Sequence, residues 1–318
     1  MSCKIASGLF CLLLVATPLF AQGANVKTVA FDSPSVGRKM KYNIVLPANY
    51  EKSSDHYPVL YLLHGLTSNY TAWSAMNVPV YAAQYDLIVV MPDVGNTWYV
   101  NWAKTEGDQK NNWEDAIVKD LIGYVDTTYR TIARREGRGI NGLSMGGFGG
   151  LMLGLKHPQL FCTVGSHSGA VAFARSFAER LRSGAEARPS REPSTIPDKR
   201  IGIENFSSQS ERTPRGSIFT KPEECDAYDP FQLVLKLPKD MWPHLYFDCG
   251  TEDRLITSNV AFMKVLTDNK IPFTFAQSPG GHVPSYWARE VGNSMAAQYA
   301  AMKKQLASLK KDTPLKTR

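Results

Sequence analysis

The chain has 318 residues, 43% hydrophobic, 20% charged and 11% aromatic, with a formal net charge of +7. This composition excludes disorder, collagen and coiled coil, and it supplies apolar material for one sizeable core. The basic residues are dispersed, with no Lys/Arg block and no interleaved aromatic stripe, so the positive balance does not point to nucleic acid. Five cysteines are too few and too scattered for a disulfide scaffold, and no C-x-x-C pair with zinc spacing occurs, so no structural metal is expected.

Residues 1–23 read as a secretory leader. Lys4 precedes an apolar run over residues 5–20, and the small-residue stretch Ala21-Gln22-Gly23-Ala24 follows. The run is short for a spanning helix, which needs about 20 apolar residues, and no second such segment follows. The expected mature chain is therefore exported, secreted or periplasmic, without stable membrane insertion. Loss of Lys4 lowers its charge to +6, and three cysteines remain, Cys162, Cys225 and Cys249. Three cannot all pair internally, and Cys162 and Cys249 sit in apolar strand-like runs where a buried thiol acts as a small hydrophobe.

Residues 26–47 alternate, as in Lys39-Met40-Lys41-Tyr42-Asn43-Ile44-Val45, which predicts antiparallel strands half exposed to water. Residues 58–63 and 87–91 are short continuous apolar runs, the pattern of strands covered on both faces in a parallel sheet. Residues 114–128 place Ile117, Leu121, Val125 and Thr128 on one helical stripe, with Glu114 and Asp115 in the first turn. A strand at 138–143 runs into Ser144, and a glycine-rich apolar helix continues over 145–156 until His157-Pro158 stops it. Further strands are predicted at 161–164, 244–249 and 272–276, with helices at 259–268 and 288–309. Strands alternating with helices predict an α/β fold, one domain over residues 24–310. The composition shifts over residues 175–221, which read as an insertion, either a lid over the site or a solvated loop. Residues 311–318 read as a charged tail.

Gly142-Leu143-Ser144-Met145-Gly146 matches G-x-S-x-G and falls between a strand and a helix. A serine at such a turn needs small neighbours for the turn to close, and the turn leaves its hydroxyl exposed. At its free pKa a serine is a poor nucleophile, so a base must lie in reach and a third group must orient it. Among six histidines, His282 follows Pro279-Gly280-Gly281 between the last strand and the final helix, where an α/β hydrolase presents its general base. The acid should fall between Ser144 and His282, and Asp253 does, on the loop Gly250-Thr251-Glu252-Asp253 after a strand; Glu252 and Asp248 compete for the role. Two backbone amides are expected to hold the developing oxyanion: Met145, next to the nucleophile, and Leu66, on the loop after strand 58–63.

Taken together, Leu62-Leu63-His64-Gly65, Val90-Met91-Pro92-Asp93, Asn96-Thr97-Trp98-Tyr99, Trp113-Glu114-Asp115, Gly142-Leu143-Ser144-Met145-Gly146-Gly147, Phe247-Asp248-Cys249-Gly250-Thr251-Glu252-Asp253 and Pro279-Gly280-Gly281-His282 carry a resemblance. Over residues 36–306 the chain resembles the esterase D and tributyrin esterase group of α/β hydrolases, which includes feruloyl esterases, S-formylglutathione hydrolases and mycolyltransferases. The resemblance implies an α/β-hydrolase fold, a mostly parallel central sheet with helices on both faces. It also implies a serine esterase with Ser144, Asp253 and His282 as its triad and an ester, small or polysaccharide-linked, as its substrate. Neither cofactor nor metal is called for. Cytosolic S-formylglutathione hydrolases usually carry a cysteine after the oxyanion loop, where this chain reads Leu66-Thr67-Ser68-Asn69, which argues against the thioester role. Transfer to water is a simpler assumption than transfer to an alcohol of the mycolyltransferase kind. Trp98, Tyr99, Trp102 and Trp113 form either an aromatic substrate wall or ordinary core aromatics, and His64 and His167 are further candidates to line the pocket.

Overall fold

The structure, a computed structural model, describes residues 24–184 and 214–312. The expected leader, the tail beyond residue 312 and residues 185–213 of the expected insertion lie outside the described residues. The alternating N-terminal segment forms a hairpin of β1 (Val26–Ser33) and β2 (Arg38–Val45). The continuous apolar runs become β3 (Val59–Leu63) and β4 (Ile88–Pro92), with the short helix α1 (Val78–Ala82) between them. The next strand, β5, is only Lys104–Thr105. A continuous helix then runs as α2 (Trp113–Asp115), a π-helical segment (Ala116–Leu121) and α3 (Ile122–Thr128).

Strand β6 (Arg138–Gly142) leads through Ser144 into α4 (Met145–Lys156), and β7 (Thr163–His167) leads into α5 (Phe173–Arg182). After the undescribed stretch come β8 (Gly216–Ser217), α6 (Pro222–Asp226) and α7 (Pro230–Lys236). Asp229 caps α7, its side chain accepting from the Phe231 amide at 3.0 Å ahead of Pro230 in the first turn. The chain closes with β9 (His244–Gly250), α8 (Ile256–Asp268), β10 (Thr274–Ser278) and α9 (Pro284–Asp312).

Among the described residues, eight strands form one sheet in the order β1-β2-β4-β3-β6-β7-β9-β10, parallel from β4 onward and antiparallel at β1/β2 and β2/β4. The pleat explains why β3 and β4 read as unbroken apolar runs. Val59, Tyr61, Leu63, Ile88 and Val90 enter one core with α2 to α5, α7 and α8, while Leu60, Leu62, Val89 and Met91 enter a second core beneath α1 and α9. Because the parallel strands point the same way, the ends of β3, β6, β7, β9 and β10 share one edge, where a parallel sheet places a site.

Both ends of the expected insertion at 175–221 are described. Its start is the amphipathic helix α5, whose Phe173, Ala174, Phe177, Ala178 and Leu181 repeat at helical spacing against the core while Arg175, Arg180 and Arg182 lie outside that stripe. Near its end β8 pairs antiparallel with β5. A window that opens at Arg175 omits Phe173 and is dominated by the arginines, which hides the period.

Buried Glu114 joins α2 to the end of α4, its carboxylate 2.7 Å from Lys156 Nζ and 2.6 Å from His157 Nε2. Burial pushes this carboxyl up, but the bonds from His157 and Lys156 outweigh it and bring it down to about 2. A depressed carboxylate stabilises the fold fully above its ordinary value near 4.5, and that contribution is lost as the pH falls toward about 2. At about 1.36 kcal/mol per pKa unit it is on the order of 3 kcal/mol. Glu114→Gln is expected to lower the Tm at neutral pH and to flatten the fall of Tm between about pH 5 and about pH 3. Thermal melts across that range check this, and parallel curves for the two proteins would contradict it.

Candidate active site

Ser144 occupies the turn between β6 and α4 at φ 54° and ψ −115°, a backbone conformation that costs free energy for any side-chain-bearing residue. Three backbone bonds hold it there. Its N–H donates to the His167 carbonyl at 2.9 Å, and its own carbonyl accepts from Phe148 and Ala170 at 3.0 Å each. Gly146 permits the turn, since a Cβ on it would come within 2.3 Å of the Leu63 carbonyl oxygen and 2.6 Å of that of His64.

The ends of β9 and β10 deliver two further groups. His282 Nε2 lies 2.9 Å from Ser144 Oγ, and His282 Nδ1 lies 2.9 Å and 3.1 Å from the two carboxylate oxygens of Asp253. The carboxylate can only accept, so Nδ1 carries the proton and Nε2 offers its lone pair to the serine hydroxyl. Burial raises the Asp253 carboxyl, but hydrogen bonds from His282 and the Leu255 amide outweigh it and hold the group below its ordinary value. Trp287 meets the His282 ring edge to face, with centroids 4.9 Å apart. Sequence reasoning missed Trp287, which belongs to no motif and meets His282 from the start of α9.

The competitors for the acid are engaged elsewhere. Glu252 is exposed and accepts from the Thr251 hydroxyl at 2.7 Å and from the Gly280 amide. Asp248 is fully buried beside His167, with Oδ2 2.6 Å from Nδ1. Cys162, Cys225 and Cys249 are free and buried, and burial pushes each thiol up to about 12, which removes them as nucleophiles.

The aromatic and histidine candidates divide. Trp98 is half-buried and stacks on Phe173 with centroids 3.5 Å apart and planes 4° apart, and it meets Phe148 of α4 edge to face at 5.9 Å. Four other candidates are buried: His64 is 1% exposed, Tyr99 0%, Trp113 3% and His167 0%. Each is held by partners within the fold. Both His64 ring nitrogens are engaged, by the Val94 amide at 3.2 Å and the Gly65 carbonyl at 2.8 Å. The Tyr99 hydroxyl donates to the His64 carbonyl at 2.8 Å, and Trp113 Nε1 donates to Asn111 at 3.3 Å beneath Arg38. His167 Nε2 meets Ser294 Oγ at 2.9 Å and Asn141 Nδ2 at 3.2 Å. Met145 is the first residue of α4, directly after Ser144, and Leu66, 38% exposed, follows Gly65, where an added Cβ would stand 3.4 Å from Ser144 Cβ.

Comparison with known proteins bears on this arrangement. Esterase Rv1288 of Mycobacterium tuberculosis is 28% identical over 256 residues, covering 80% of this chain and 54% of that protein, so the chain spans about half the length of that relative. An acetyl esterase of Caldicellulosiruptor saccharolyticus is 24% identical over 243 residues, covering 76% of this chain and 83% of that protein. Among solved structures, the fluorophosphonate-binding serine hydrolase FphF of Staphylococcus aureus superposes with a TM-score of 0.66 at 22% identity, over 87% of this chain and 99% of that one, which is a likeness of α/β-hydrolase fold. The sequence profile of the Esterase family, described as "Putative esterase", matches residues 33–297, and the chain belongs to that family.

Proposed function

We propose that this chain is an exported serine carboxylesterase that hydrolyses short-chain or phenolic acyl esters through an acyl-enzyme on Ser144. The observation that carries the reading is the hydrogen-bonded series from Ser144 Oγ through His282 to Asp253, with 2.9 Å at each step. His282 Nε2 accepts the hydroxyl proton as Oγ attacks the ester carbonyl, and Asp253 stabilises the imidazolium that forms. The amides of Leu66 and Met145 receive the developing oxyanion. Collapse breaks the ester C–O bond, and the proton on Nε2 passes to the departing alcohol. Water then enters, gives a proton to Nε2 and attacks the acyl-enzyme, which releases the acid and restores Ser144.

The acetyl esterase among the relatives supports a small acyl group. The half-buried Trp98 stacked on Phe173 supports an apolar or aromatic acyl contact. Export rests on the leader-like residues 1–23.

Initial rates on p-nitrophenyl esters from acetate to palmitate and on methyl ferulate test the reading. The wild-type protein is expected to turn over the short or phenolic esters, and Ser144→Ala to lose roughly 10³-fold or more in kcat. Equal activity of the two proteins would overturn it. Asp253→Asn keeps the shape of the acid but favours the wrong imidazole tautomer, so its kcat is expected to fall on the order of 10³ to 10⁴-fold with KM little changed. Full activity in that variant would show that Asp253 is not the orienting acid.

A further inference from the structure

The loop that carries Leu66 is gripped by the segment of residues 94–99. The Val94 amide donates to His64 Nε2 at 3.2 Å, the Thr67 amide donates to Asn96 Oδ1 at 2.7 Å, and the Tyr99 hydroxyl donates to the His64 carbonyl at 2.8 Å. Because an amide can only donate, His64 Nε2 accepts, so Nδ1 holds the proton and donates to the Gly65 carbonyl at 2.8 Å. The Ser68 amide also donates to that carbonyl, at 3.2 Å. These bonds fix two successive peptide planes. In the trans Gly65–Leu66 peptide the Leu66 N–H points opposite to the Gly65 carbonyl and so away from the His64 ring. Gly65 itself lies against the nucleophile, since a Cβ built on it would stand 3.4 Å from Ser144 Cβ.

The next peptide is pinned by Asn96, and it needs to be. Thr67 has φ 64°, a left-handed conformation that a β-branched residue rarely adopts without a partner holding it. The gripping segment is itself wound tightly, with Gly95 at φ 62°, Trp98 at 62° and Tyr99 at 61°, and Asn96 is buried within it. Conformations of this kind persist only where the surroundings over-determine them, and they concentrate at functional sites.

We propose that Asn96 is a positioning residue of the oxyanion hole: by accepting from the Thr67 amide it holds the 65–67 turn in the one conformation that aims the Leu66 N–H at the carbonyl oxygen of an ester on Ser144. The inference rests on the esterase reading of the site. Asn96 touches no reacting atom, and its effect falls on the transition state, where charge develops on that oxygen, more than on ground-state binding.

The test compares the wild type, Asn96→Leu, which keeps the bulk and removes the acceptor, and Asn96→Asp, which keeps an acceptor oxygen. Each is assayed on p-nitrophenyl acetate, with a thermal melt of each protein. Misplacing one oxyanion donor is expected to lower kcat of Asn96→Leu roughly 10- to 100-fold while KM stays within about 3-fold, and Asn96→Asp is expected to recover most of the loss. Should Asn96→Leu fail to fold, Asn96→Ala gives the same reading. Wild-type kcat in the variant that lacks the acceptor overturns the proposal. So does a parallel loss of Tm, kcat and KM in Asn96→Asp, which would mark Asn96 as a fold residue only. Ser144→Ala run alongside separates the two levels: its inactivity beside an active Asn96→Leu overturns the positioning role alone, and its retained turnover overturns the reading of the site.

Discussion

The left-handed backbone at Ser144 is the constraint on which the rest of the site depends. A serine at φ 54° and ψ −115° is unstable as a local preference, so tertiary contacts must hold it. They come from both sides: the His167 carbonyl of β7 takes its amide, and α4 and the loop after β7 donate to its carbonyl. The turn closes only because Gly146 lets the first turn of α4 meet the backbone of Leu63 and His64. That close approach also brings the loop after β3 beside the nucleophile. Ser144 and the loop after β3 are thus brought together by a close backbone contact between β3 and α4.

Beneath this turn the parallel strands carry an unusual amount of polar matter. His167 and Asp248 are fully buried in neighbouring strands, and Asn141, Ser294 and Gln298 complete the group. Polar groups in a sheet interior are costly unless partnered, and here the partners join β6, β7 and β9 to α9. The strands whose ends carry Ser144 and Asp253 are thus cross-linked to one another and to α9.

Much of the fold was legible because its elements carry strong periodic signals. The unbroken apolar runs at 58–63 and 87–91 announced strands covered on both faces, and the two cores now account for alternate residues of β3 and β4. The helix over 145–156 and the strand over 138–143 were equally plain. The short helices and two-residue strands were not: α1, the β5/β8 pair, α6 and α7 are too short to show a period, and α5 was masked by its arginines.

Local chemistry by itself determined the serine turn, because G-x-S-x-G between a strand and a helix reports a backbone need that lies within five residues. The order of Ser144, Asp253 and His282, each after a strand end, followed from the chain order of the α/β-hydrolase fold, and the tertiary structure brings the three within hydrogen-bonding distance. Which aromatic and imidazole side chains are buried was decided only by the tertiary structure. His64, Tyr99, Trp113 and His167 have the chemistry of pocket residues, yet packing between strands distant in sequence takes them into the interior and leaves Trp98 half-buried. The bond from Thr67 to Asn96 spans 29 residues and depends on β3 lying beside β4, an adjacency that no local pattern encodes.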